Sequence, residues 1–213
     1  MNGRVISLGS RGFPFFYENF FYGKLFYEKP RPSDTLTVLG QMRGHKFDAS
    51  LILGTASRCR FHCPRVIVCS PLQGLTPFPT SFWLTCPWLA RLAGTLESKG
   101  GVGELERWIQ LRAPDEWIPF NIEHQRIRLA LLPRRALSFL RRHRPQVFRR
   151  LRDGGAGGIR YDTGGGRVRI KCLHLQTASW LALGRHPGAA WLRERGADQD
   201  CCGRMKNICE PHC

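Results

Sequence analysis

The stretch Thr80-Ser81-Phe82-Trp83-Leu84-Thr85-Cys86-Pro87-Trp88-Leu89 leaves the backbone few choices. Aromatic and β-branched residues up to Thr85 suit a half-buried strand. Pro87 suits the first position of a helix, where its missing N–H costs no hydrogen bond. Cys86 then falls at the N-cap, facing unpaired backbone N–H groups and the positive end of the helix dipole. A thiol so placed ionises more readily than a free one, and the thiolate is the form that ligates metals or attacks electrophiles. Chemistry is expected at this corner, although these ten residues do not specify which.

The rest of the chain is read outward from that corner. Residues 51–57 and 65–70 have the composition of strands, and a Gly/Pro loop over 71–79 joins the second to 80–85 as an antiparallel hairpin. In such a hairpin Cys59 or Cys63 is expected to approach Cys86, while Cys69 lies toward the turn as a small core residue. A helix runs from Pro87 to Lys99, with Trp88, Leu89, Leu92 and Leu96 on one face and Gly100-Gly101 as its stop. A short amphipathic turn or helix covers 104–111, and Pro114 and Pro119 mark a loop. Asn121 caps a helix to Leu132, and Pro133 opens another toward Arg152, broken or kinked at Pro145. Arg167 to Lys171 alternates as a later strand and runs into Cys172-Leu173-His174. The helix that follows reaches about Leu183 with Gly184 as its cap, and Pro187 opens a last one. The expected class is α+β, with a small antiparallel β-sheet (the hairpin plus the later strand) packed by helices in one domain over 35–195.

Residues 1–34 hold six of the thirteen Phe and three of the four Tyr without periodicity, and are expected to be a poorly ordered aromatic extension. Residues 196–213 form a Cys-rich tail whose spacing matches no standard zinc knuckle, and disorder is expected there as well.

Nine cysteines in a chain with no recognisable secretory signal and no apolar run of membrane-spanning length point to a cytoplasmic protein. There, clustered thiols more often bind metal or do redox work than form staples. The candidate ligands are Cys59, Cys86, Cys172 and His174, with His62 and Cys63 in reserve. Three thiolates and an imidazole suit tetrahedral zinc, and the same set suits an iron–sulfur cluster. Cys172 and His174 converge on one ion only if Cys172 precedes its helix and His174 lies in the first turn. The alternative is a cysteine-dependent enzyme, with Cys86 as nucleophile, His174 as general base and Arg58 or Lys171 holding an anionic substrate. Whether the protein is an enzyme is left open by the residues alone.

A formal net charge of +17 favours polyanionic partners. From His124 to Arg152 there are ten arginines and no acidic residue. Ala136, Leu137, Leu140, Val147, Phe148 and Leu151 give a buried stripe at helical spacing. Arg134, Arg135, Arg141, Arg142, Arg149 and Arg150 then form a basic face that would bind nucleic acid or another polyanion, salt-dependently and without base selectivity. The glycine run 154–158 lacks the lysine and preceding strand of a phosphate loop and reads as a flexible hinge or turn.

Arg58-Cys59 with Pro64, Pro77-Phe78-Pro79-Thr80 through Leu84-Thr85-Cys86-Pro87, Gly154 to Gly158, and Arg169-Ile170-Lys171-Cys172-Leu173-His174 follow one another in a fixed order. In that order they resemble a bacterial family of uncharacterised proteins, the domain-of-unknown-function family numbered 501, over roughly residues 36–192. The resemblance implies a glycine where His62 stands and no regular cysteine at Cys63. It implies no reaction.

Overall fold

A computed structural model describes residues 27–164 and 166–201. Three strands form the central antiparallel sheet in the order β1 (Ile52–Arg58), β2 (Pro64–Cys69) and β5 (Phe82–Leu84). Thr55 pairs with Ile67 on one side of β2, and Val66 and Val68 pair with Leu84 and Phe82 on the other. The connection from β2 to β5 folds into a two-stranded ribbon of β3 (Leu72–Gln73) and β4 (Thr76–Pro77). The hairpin expected from the sequence is therefore present, with β1 and β2 each shifted by one residue and β5 trimmed to Phe82–Leu84.

The middle strand explains its own composition. Val66, Ile67, Val68 and Cys69 are all fully buried, because both faces of the sheet are covered. Val66, Val68, Phe82 and Leu84 face the large helical layer. Ile67 and Cys69 face the other way, onto Val38 and Met42 at the first helix, α1 (Pro32–Gln41). The helical layer contains α2 (Pro87–Ser98), α3 (Gly101–Arg112), α4 (Pro114–Ala130), α7 (Leu173–Leu183) and α8 (Ala189–Glu194). A third cluster, Leu132, Leu140, Phe148 and Leu151, packs α5 (Arg134–His143) and α6 (Pro145–Asp153) together beyond the end of α4. No helix among the described residues is long and apolar enough to cross a membrane.

Four local expectations differ from this architecture. The packed chain starts before residue 35: Glu28 bridges to Thr55 of β1, and Asp34 in the first turn of α1 is 3% exposed. Its carboxylate takes both Arg58 Nη1 and Nη2 at 2.8 Å. Burial alone would raise that carboxyl group, but the hydrogen bonds from Arg58 and from Arg31 N–H outweigh it and hold the pKa below the usual value. Gly54 makes this docking feasible, since a Cβ there would stand 2.2 Å from the Glu28 carbonyl oxygen. Residues 1–26 and 202–213, which carry the rest of the two expected extensions, lie outside the described residues.

Second, Pro114 and Pro119 do not make a loop. Pro114 opens α4 and Pro119 sits inside it. The face formed by Trp117, Phe120, Asn121, His124, Ile127 and Arg128 is buried, and its packing outweighs the one hydrogen bond that Pro119 cannot donate. Third, 167–171 joins no strand. Val168 N–H and Ile170 N–H donate to the side chains of Gln110 and Glu106 on α3, each at 2.8 Å, so this alternating segment is paired to a helix.

Fourth, the glycine run is a locked turn and not a flexible one. Arg128, fully buried, donates Nη1 to the carbonyls of Leu151 and Gly154, Nη2 to Gly155 and Nε to Pro79. Asn121 Oδ1 accepts from Ala156 N–H at 3.0 Å. The guanidinium is held there by four backbone carbonyls, which fixes the route of the chain from α6 back toward α7.

Candidate functional site

Both cysteine corners lie where the sequence places them. Cys86 is the N-cap of α2 and Cys172 the N-cap of α7, each with a non-helical backbone. The N-terminal ends of the two helices border one cleft of about 530 Å³, lined by Pro87 and Arg91 of α2 and by Lys171, Cys172 and His174 at the start of α7. Met42 after α1 and Phe82 and Leu84 of β5 supply an apolar wall.

Glu97, near the C-terminal end of α2, reaches across to the start of α7. Its Oε1 accepts from the backbone N–H of Leu173 and of His174 and lies 2.9 Å from His174 Nδ1. The carboxylate thus does what an N-cap side chain does for another helix, satisfying two orphan donors at the positive end of its dipole. Close helix packing permits it: a Cβ at Gly94, one turn earlier on α2, would lie 3.9 Å from His174 Cε1.

The Cys172 thiol completes the group. Among the described residues, one set of three His, Cys, Asp or Glu side chains has ligand atoms all within 4.8 Å of one another, namely Glu97, Cys172 and His174. Each is half-buried. Burial pushes the Cys172 thiol above its ordinary pKa, and the nearby Glu97 charge adds to the rise. The backbone N–H groups of Leu175 and His174 and the Lys171 ammonium act in the opposite direction and do not overcome it. In this electrostatic setting the thiol keeps its proton unless a further cation arrives.

The structure brings together two of the four expected ligands, Cys172 and His174, and adds Glu97. Cys86 and Cys59 are outside the 4.8 Å group. Cys86 is 6% exposed and packs in the core. Cys59 is a half-buried free thiol in the turn between β1 and β2, its N–H bonded to the Cys63 carbonyl. Of the reserve ligands, His62 is exposed with a left-handed φ of 63°, which accounts for the glycine implied at that position. Cys63 is buried and disulfide-bonded. Cys69 is buried as expected of a core residue, and desolvation pushes its thiol up to about 12. Arg58, one of the two cations considered for an anionic substrate, is committed to Asp34 and Glu28, whereas Lys171 stands exposed at the cleft.

Sequence reasoning missed Glu97. The available signal was that Glu97 is the one acidic residue of α2, whose other charged residue is Arg91. Arg134, Arg135, Arg141, Arg142, Arg149 and Arg150 are all exposed, on α5 and α6, elements that do not line the cleft.

A model of the family described as protein of unknown function (DUF501) matches residues 55–194, a span that holds the whole Glu97–Cys172–His174 group. No curated protein matches the chain, and no solved structure does.

Proposed function

Since the chain belongs to the DUF501 family, and membership brings no activity with it, we propose from the side chains themselves that Glu97, Cys172 and His174 hold a divalent metal ion at the cleft, with zinc the best match. The observation that carries this reading is the convergence of one sulfur, one imidazole nitrogen and one carboxylate on a cleft-lining corner. Such mixed N, O and S donors suit zinc, whereas iron–sulfur clusters are held chiefly by thiolates, and this group contains one. A bound cation would also reverse the rise of the Cys172 pKa, because a coordinating thiol is deprotonated outright.

Each side chain has a distinct task in this arrangement. Glu97 fixes the His174 ring through Oε1 and leaves Oε2 for the ion. Cys172 supplies charge, and His174 a neutral nitrogen donor. Three protein ligands would leave a fourth coordination position open, the pattern of metal sites that polarise or hydrolyse a substrate. Arg91 and Lys171 at the same cleft favour an anionic ligand. The other reading, Cys86 as nucleophile with His174 as base, has less support, because Cys86 is buried among apolar side chains.

The test is elemental analysis of the full chain purified without chelator. Zinc is expected at one equivalent in the wild type and in Cys59→Ser, and well below that in His174→Ala and Glu97→Gln. Zinc-free wild-type protein, or His174→Ala retaining wild-type zinc, would contradict the reading.

A further inference from the structure

The basic helical pair presents a second surface, independent of the cleft. Helices α5 and α6 bury Leu140, Phe148 and Leu151 between them and against Leu132. Everything basic on the pair is left outside: Arg134, Arg135, Arg141, Arg142, Arg149 and Arg150 are exposed. The acidic residue at the end of α6, Asp153, is taken by Arg152, and none of those six arginines forms an ion pair among the described residues.

One feature of this face is not electrostatic. Phe139 is 45% exposed, and its ring lies 5.1 Å from the exposed His143 ring at a tilt of 35°. On a helix, residues three and four apart are neighbours, so Arg135 and Arg142 flank Phe139 on the same side of α5. Phe139 lies outside the buried stripe of Ala136, Leu137, Leu140, Val147, Phe148 and Leu151. The fold leaves it in solvent between two cations.

From this juxtaposition we infer that the α5–α6 pair binds single-stranded nucleic acid, with phosphates on the arginines and an unstacked base on the Phe139–His143 rings. Arginines alone would serve a duplex equally well, since a duplex presents its phosphates and keeps its bases stacked inside. An exposed ring pair between the arginines gains contact only with a base that is free to leave its neighbours.

Fluorescence anisotropy of a labelled oligodeoxythymidine with the full chain, over a series of salt concentrations, tests this. Replacing Arg135, Arg142, Arg149 and Arg150 together by Gln is expected to make the slope of log K against log salt shallower by about 0.7 for each charge removed. A charge-matched control replaces the exposed Arg43, Lys46, Lys99 and Arg112 by Gln and is expected to keep the wild-type slope. Phe139→Ala is expected to weaken binding roughly fivefold or more with the slope unchanged. The inference is overturned if the control loses as much as the α5–α6 variant, if Phe139→Ala binds like wild type, or if a duplex of equal length binds as tightly. Capture of anionic lipid vesicles without affinity for the oligonucleotide would overturn it too.

Discussion

Cys86 and Cys172 occupy the same local position. Each is a helix N-cap with extended chain before it, and Thr85 and Pro87 on either side of Cys86 line the same cleft as Cys172. Their surroundings separate them. Cys86 follows a true strand, and its helix start is stapled to the sheet by backbone bonds from Thr85 and Cys86 to the Arg65 carbonyl. Its side chain consequently turns into the core. Cys172 follows a segment pinned to α3 by side chains, and an acidic residue from α2 caps its helix. Its thiol stays at the cleft beside a carboxylate and an imidazole. A cysteine at a helix N-terminus does not by itself gather partners, because tertiary neighbours decide which corner gains a carboxylate and an imidazole beside the thiol.

The largest expected difference between the two corners is in thiol reactivity. Alkylation of the native, metal-free chain should modify Cys172 many times faster than Cys86, whose labelling must wait for opening of the core. Peptide mapping after brief iodoacetamide treatment reads this directly, and equal rates would erase the distinction drawn here.

Acid should act next, and on the buried layer. His124 and His186 are both held neutral, their pKa values lowered to about 3 chiefly by burial. The unfolded chain binds these protons near pH 6.5 and the folded one does not, so stability falls as pH drops from about 6.5 toward 3. The slope is up to about 1.4 kcal/mol per pH unit for each histidine. Denaturant titrations across that range should show the loss; a flat profile would mean that the core admits the charge.

A smaller effect is expected from Glu97→Ala. It removes the acceptor for two helix N-terminal N–H groups and should cost about 1 kcal/mol in denaturant unfolding, the usual size of a lost cap. Ser98→Ala, the neighbouring exposed position, should be close to neutral.

What the sequence disclosed follows local rules closely. Pro87 at the first helical position, Gly184 in the left-handed region at the end of α7 and Pro145 dividing α5 from α6 are all where backbone chemistry puts them. The β-branched run of β2 announced a strand, and the structure buries it on both faces. The misreadings share one cause, which is that distant groups settle them. Pro119 is tolerated because α4 buries a whole face, and Val168 and Ile170 alternate because α3 supplies their acceptors. The site divides in the same manner. Cys172 and His174, two residues apart, were legible, but Glu97 lies 75 residues before Cys172 in an ordinary helix and becomes visible only once α2 packs on α7.

The most direct test is the visible absorption of the metal-free chain titrated with cobalt(II), which reports thiolate ligation as a sulfur-to-metal charge-transfer band. The account predicts that band in the wild type and in Cys86→Ser, and its loss in Cys172→Ser. A band lost in Cys86→Ser and kept in Cys172→Ser would contradict it and move the centre to the other corner.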